Sequence, residues 1–328
     1  MIAFIIRRIL QAVVVMLVIS LVVFAIKKEF GDPVRDLVGE RVTPEERQQI
    51  ADKMGLNDPF LVQYGRFVKN AVTKGDLGRS FLYNKPNLEV IVNHAPATIE
   101  LVLGTALIII VLSLPLGVYC ALKPRSWLSR FTMSFSTLGV SMPVFLTAIL
   151  LIYLFAVHWR ILPSYGRGET VDLFGNGIWM TGLLTIDGIK HLILPCISLS
   201  TLMLPLFIRL IRSEMMEVLE TEYIKYAWAK GLSPKRVWLV HAFKNTLLPV
   251  ITVFGVQIGI MFAFTLLTEL VFQWPGMGFM FLEAVNRADL SLLIAYLVVV
   301  AALFVVVNTV VDILYGFINP TVRIAGTK

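Results

Sequence analysis

Cysteine is scarce: Cys120 and Cys196 are the only two in 328 residues, and both lie inside apolar runs. That excludes a disulfide framework and a cysteine metal site, and leaves both side chains to packing. Histidine is nearly as sparse, with His94, His158, His191 and His241 in four different segments and no metal-ligand spacing among them. No G-x-x-x-x-G-K-S/T sequence occurs, and "GDLGRS" at 75–80 has the wrong spacing, so nucleotide phosphates are not cradled in the P-loop manner. H-E-x-x-H and G-x-S-x-G are missing too, which leaves an enzymatic role without a constellation to carry it. Charge is also in short supply, at 16% Asp, Glu, Lys and Arg. The net charge of +7 does not point to nucleic acid, because the basic residues are not gathered with aromatics on one polar face.

What the chain has in excess is apolar surface. Hydrophobic residues make up 57% and the mean hydropathy is +0.79, more than one water-soluble core needs, so the chain belongs in a bilayer. Residues 9–26 form a strongly apolar run of 18 without a charged residue behind Arg7 and Arg8, about 27 Å as helix. No small-x-small cleavage pattern follows, so an uncleaved first span is expected rather than a signal peptide. Five more apolar segments follow at 98–122, 131–157, 191–211, 250–272 and 290–318, each long enough to cross a hydrocarbon core of about 30 Å. The expectation is an all-α integral membrane protein with six transmembrane helices and both termini on one side. The short segments on the N-terminal side carry fourteen Lys and Arg, seven of them between Arg209 and Lys244. The opposite side carries four, Arg160, Arg167, Lys190 and Arg287, leaving out the long first loop, which crosses regardless of charge. This imbalance places both termini in the cytoplasm.

Two polar stretches carry helix signals. In the insertion 27–97, Thr43, Pro44 and Glu46 form a capping box for a helix ending near Gly55. Asp58-Pro59 then opens a second, amphipathic helix with Phe60, Tyr64, Phe67 and Val68 on one face. The second stretch, 212–249, reads as a cytoplasmic helical hairpin. Glu222 to Lys230 lacks Gly and Pro, Gly231 supplies a left-handed cap, and Ser233-Pro234 starts a second helix that "LLP" is expected to end at Pro249. Leu239, Val240, Phe243 and Leu247 make an apolar stripe on it, with Lys235, Arg236 and Lys244 on the polar side. A hairpin resting on lipid headgroups is the alternative, and the acidic approach through Glu214, Glu217, Glu220 and Glu222 argues against it at an anionic leaflet.

Within the spans, Glu269, Asn308 and Asp312 are costly polar groups that mark a cavity, a partner contact or a helix end. Pro115, Pro143, Pro195 and Pro205 suggest kinked helices around a pathway. The turn in "FQWPGMGFMFLE", with Trp274, Pro275, Gly276 and Gly278, reads either as an outer gate or as an aromatic interfacial anchor with a re-entrant turn.

The stretch "EYIKYAWAKGLSPKRVWLVHAFKNTLLPVI" at 222–251 resembles the EAA loop of binding-protein-dependent ABC import permeases. Glu222, Ala227, Gly231 and Leu248-Pro249 fall on that pattern, with Tyr223 and Ile224 where its alanines stand, a variant common in the oligopeptide, dipeptide and nickel subfamily. "FIIRRIL", "GDPV", "GLNDPFLVQYGRF", "GDLGRS", "PATIEL", "WPGMG" and "VDILYGFINPTVR" extend the likeness over nearly the whole chain, which resembles the first permease of such an importer. The resemblance implies a type I importer fold with a periplasmic insertion, in a bacterial inner membrane. It also implies a second homologous permease, two ATP-binding subunits that hold ATP and Mg, and a periplasmic binding protein, with no cofactor in this chain. Glu222, Tyr223, Tyr226, Ala227, Lys230 and Gly231 would then form the ATPase-coupling segment. The long first loop and the Gly-rich "PSYGRGETVDLFGNG" would face the binding protein. Di- or oligopeptides are the implied cargo, with nickel, glutathione or another small solute as the alternative. A self-contained secondary carrier is the competing class, and it leaves the hairpin without a role.

Overall fold

The computed structural model describes residues 2–30, 48, 58–175 and 177–318. The capping box at Thr43, the helix end near Gly55, the "GDPV" stretch and the chain end from 319 lie outside the described residues. The described chain is almost wholly helical: α1 (Ile2–Phe30), α2 (Phe60–Lys74), α3 (Asn87–Leu122), α4 (Trp127–Ser141), α5 (Val144–Leu151), α6 (Ile186–Leu219), α7 (Glu222–Ala229), α8 (Phe243–Phe272), α9 (Met277–Asn286) and α10 (Leu290–Ile318). Two strands, β1 (Val171–Asp172) and β2 (Met180–Thr181), pair antiparallel in the loop before α6.

Five helices are long and apolar enough to cross a membrane: α1, α3, α6, the helix running from Pro234 through α8, and α10. The third expected segment, 131–157, is not one helix. It divides into α4 and α5, the latter continued by a π-helical stretch over Ile152–His158. The break falls at Met142 and Pro143, both extended, at ψ 127° and 139°. Proline accounts for this, since it has no N–H to give the preceding turn and pushes the residue before it out of the helical region. The other prolines behave differently: α3 runs unbroken through Pro115, α6 through Pro195 and Pro205, and α8 through Pro249. Neighbouring helices sustain such prolines in membrane proteins.

The core is built on α3 against α6. These helices approach closely at Gly117, where an added Cβ would lie 2.7 Å from Ile211, the small-residue contact that drives packing where lipid competes with no hydrophobic advantage. Val102, Ile109, Phe207, Ile211 and Met261 fill the middle of this core from α3, α6 and α8. A second cluster, with Val90, Ile91, Met280 and Leu292, joins the start of α3 to α9 and α10. Helix α3 has 36 residues, about 54 Å at 1.5 Å per residue, longer than a hydrocarbon core of about 30 Å is thick. The amphipathic helix expected after Asp58-Pro59 is α2, and it ends at the left-handed Gly75. Its aromatic face meets α1, with Phe60, Tyr64 and Phe67 each 5.3–5.7 Å from the Phe24 ring.

Candidate functional site

The hairpin begins two residues after α6. In α7, Ile224 and Ala227 are three apart and therefore share a face; both are buried, packed with Ala121, Met215, Val237 and Ala242. Burying that face turns Glu222, Tyr223, Tyr226 and Lys230 outward. Tyr226 is 61% exposed, and the Lys230 ammonium stands 4.6 Å from its ring centroid. Glu222 pairs with Lys225 at 2.7 Å, one turn on, and this carboxylate raises the Lys225 pKa. The Tyr223 hydroxyl accepts a hydrogen bond of 2.6 Å from the Asn245 side chain, tying α7 to the first turn of α8. Gly231 turns the chain at φ +73° with nothing within 4 Å of an added Cβ, a conformation that costs an L side chain about 1 kcal/mol or more.

The second arm departs from its sequence pattern. The helix expected to stop at Pro249 instead passes from a single turn at Pro234–Arg236, through a π-helical stretch at Val237–Ala242, into α8 without interruption. In the π stretch the residues five apart, Val237 and Ala242, both turn into the core. The shifted phase leaves Leu239 and Val240 outside, 60% and 56% exposed, so the stripe read from an α-helical period is not the buried face.

At the other end of the bundle, Trp274, Gly276 and Gly278 are buried, while Pro275 is exposed. Helix α8 ends at Gln273 in the left-handed region, and the chain reverses onto α3. The Trp274 indole N–H donates to the Ala97 carbonyl at 2.9 Å, and the Met277 N–H donates to Thr98 Oγ1 at 2.7 Å. Thr98 Oγ1 in turn donates to Glu269 at 2.6 Å, and the second Glu269 oxygen accepts from the Phe279 N–H at 2.9 Å. Glu269 therefore caps the start of α9, where unpaired backbone N–H groups and the helix dipole favour a negative group. This polar group in an apolar span has a structural partner set, and Trp274, at 1% exposure, is no surface anchor.

Two further anchors escaped the sequence reading. Glu100, one turn after Ala97, holds Arg167 at 2.9 Å and the Gly182 N–H at 3.1 Å, with Glu100 buried and Arg167 largely so. The Gly-rich loop is thereby fastened to α3, and "PATIEL" becomes a ladder of three contacts, at Ala97, Thr98 and Glu100. Asp289 accepts from the Ser80 hydroxyl at 2.6 Å and the Leu82 N–H at 2.9 Å while capping α10 through the Leu292 N–H. Nearby, Tyr83 donates to Glu283 at 2.7 Å. Burial, then the Glu283 carboxylate, push the Tyr83 phenol well above its ordinary pKa, so it stays a donor. A carboxylate inside an apolar run, as at Glu100, is the signal that points to such pairs; Ser80 and Asp289 carry no comparable mark. Asn308 bonds the Phe304 carbonyl of its own helix. Among the described residues, no three His, Cys, Asp or Glu side chains converge to hold a metal.

Residues 113–324 match the family model of the binding-protein-dependent transport system inner membrane component, and residues 1–102 match the N-terminal model of the binding-protein-dependent transport system membrane component. The dipeptide transport system permease protein of Alkalihalophilus pseudofirmus is 37% identical, covering 98% of this chain and 100% of the relative. The corresponding Escherichia coli K12 protein is 36% identical over 98% and 99%. The oligopeptide transport system permease protein of Bacillus subtilis is 35% identical over 98% and 100%.

Proposed function

The chain belongs to the family of binding-protein-dependent transport system inner membrane components, and on that premise we propose that it is the membrane-spanning permease subunit of an ATP-driven dipeptide importer. The observation that carries the cargo is end-to-end similarity to dipeptide permeases at 36–37% identity. The chain forms half of the translocation pathway beside a second, homologous permease. ATP and Mg are held by two separate ATP-binding subunits, and a periplasmic binding protein delivers the dipeptide. The broken pair α4 and α5 serves as a sixth crossing, so that both termini and the hairpin lie in the cytoplasm and the insertion 27–97 and the Gly-rich loop lie outside.

The exposed side of α7 is the coupling surface. Its geometry supports the role, because a rigid joint needs one face fixed and one face free. Ile224 and Ala227 fix the hairpin to the ends of α3 and α6, while Glu222, Tyr223, Tyr226 and Lys230 face outward. The continuous passage from Pro234 into α8 gives a displacement of α7 a direct route into a spanning helix. At the outer end of α8, the Glu269, Thr98 and Trp274 contacts hold the turn closed.

Uptake of a labelled dipeptide by cells lacking their own dipeptide permease, supplied with this chain and its partner subunits, tests the reading. ATP-dependent accumulation is expected. Accumulation of nickel or glutathione with no dipeptide uptake overturns the cargo, and ion-driven uptake by the chain alone overturns the class.

A further inference from the structure

Helix α4 turns three aromatic rings out of the bundle. Ser129, Thr132 and Ser136 are buried, whereas Trp127, Phe131 and Phe135, spaced one turn apart on the opposite face, are 78%, 55% and 57% exposed. Their rings stack at centroid distances of 5.7 and 6.0 Å, an aromatic ladder about 12 Å long. Charge gathers at its N-terminal end, with Arg125 just before Trp127 and Arg130 just before Phe131, both exposed. Neither guanidinium meets a carboxylate among the described residues, and no Asp or Glu occurs in the sequence between Glu100 and Glu169. Arg209 of α6, close to the end of the apolar run 191–211, reaches Thr137 at 3.4 Å. The Phe135 end of the ladder therefore lies at the edge of the hydrocarbon and the Trp127 end among headgroups, the depth that Trp favours.

We propose that this face of α4 is a binding site for one anionic phospholipid, its phosphate held by Arg125 and Arg130 and one acyl chain laid along Trp127, Phe131 and Phe135. Two unanswered positive charges select the sign of the occupant, and the rings select an apolar chain beneath it. A second, homologous permease in the same orientation places its own excess of Lys and Arg at this depth and meets the arginines with like charge. A soluble ATP-binding subunit ends at the membrane surface and does not follow the ladder down to Phe135. Zwitterionic lipid covers the rings equally well and brings no net charge. The lipid sits in the cytoplasmic leaflet, a placement that rests on the orientation proposed above. Its consequence is mechanical: α4 is half of the broken crossing, and a seated lipid steadies the face of it that the described chain leaves uncovered.

Photo-cross-linking tests the proposal. The assembled transporter carrying Phe131→benzoylphenylalanine is reconstituted into vesicles of equal phosphatidylglycerol and phosphatidylcholine and irradiated, and the adducts on this chain are identified by mass. Phosphatidylglycerol adducts are expected in roughly tenfold or greater excess, the factor that two basic groups at an anionic headgroup supply. Arg125→Gln with Arg130→Gln should bring the two adducts to parity. Lys123→Gln removes a nearby charge that stands over the Tyr119 ring and should leave the excess intact. Equal adducts in the parent protein overturn the proposal, as does an excess that survives the double variant or is lost with Lys123 alone. Cross-linking to another subunit, or to no lipid at all, also overturns it. The readout needs no ATP and no cargo, so a transporter that shows the excess and fails to import dipeptide sinks only the functional reading.

Discussion

Glu269 shows how one side chain in an apolar span acquires its place. Its carboxylate replaces water with Thr98 Oγ1 and the Phe279 N–H, and Gly276 and Gly278 let the turn come close enough for those bonds to form. A Cβ at Gly278 would lie 2.7 Å from Leu266 Cα, and one at Gly276 would overlap the carboxylate itself. Backbone cannot step aside as a flexible chain end can, so Gly278→Ala is expected to destabilise the protein by about 1–3 kcal/mol, the usual cost of overpacking. Gly65→Ala is the control, because α2 leaves open space there. Thermal unfolding in detergent should show a lower midpoint for Gly278→Ala and Gly276→Ala and none for Gly65→Ala; a wild-type midpoint for Gly278→Ala would mean the turn is loose. At this scale the sequence was half legible. Glu269 and the two glycines stand out as costly or unusual residues in an apolar run, but Thr98, the partner of Glu269, lies 171 positions away, and nothing local marks it as a hydrogen-bond relay.

Among the elements, the hairpin and the broken third segment teach different lessons. The ends of α7 were readable because Gly231 is a local signal, but its faces were not: Ala227, read as part of the coupling segment, is buried beside Ile224. The second arm was not, because a π-helical stretch shifts the phase by which the stripe was read, and Pro249 is carried inside α8 instead of ending a helix. Pro143 stands at a break in its segment while Pro115, Pro195 and Pro205 lie inside unbroken helices, so a proline in an apolar run does not by itself tell which outcome follows. The joint formed by α7 makes a specific demand. Gly231→Pro forces φ to about −65° where the turn holds a left-handed value, and Glu222→Lys places a like charge beside Lys225. Both variants are expected to insert normally yet lose most dipeptide uptake, on the order of tenfold or more, while ATP hydrolysis by the assembled transporter continues or loses its response to cargo. Measuring uptake and hydrolysis on the same preparations separates uncoupling from misfolding, and normal uptake in both variants would remove α7 from the coupling role.

For the whole molecule, the decisive property is its direction in the membrane. The proposed orientation rests on the excess of Lys and Arg on the N-terminal side, and it assigns the hairpin between α6 and α8 and the loop tied to α3 by Glu100 and Arg167 to opposite sides. A lone buried pair such as Glu100 and Arg167 adds little net stability, but removing one partner strands a charge, so the pair fixes where the Gly-rich loop stands more than how strongly it is held. The chain lends itself to a direct test because its two native thiols, Cys120 and Cys196, are buried and offer little background to a thiol reagent. Phe174→Cys places a thiol at the exposed tip of the Gly-rich loop, and Lys230→Cys places one on the exposed end of α7. With a membrane-impermeant maleimide, Phe174→Cys should label in intact spheroplasts and Lys230→Cys only after the membrane is opened. The reverse pattern would turn the molecule over, or mean that α4 and α5 do not cross together; either moves the hairpin away from any cytoplasmic ATPase. Labelling of both sites from outside would instead mean that α6 does not cross, since an odd number of crossings between the loop tip and the hairpin is what sets them on opposite sides and α6 is the long helix between them. Only an unbroken crossing by α6 between those two positions gives the expected result, and α6 is the most deeply buried of the five long helices.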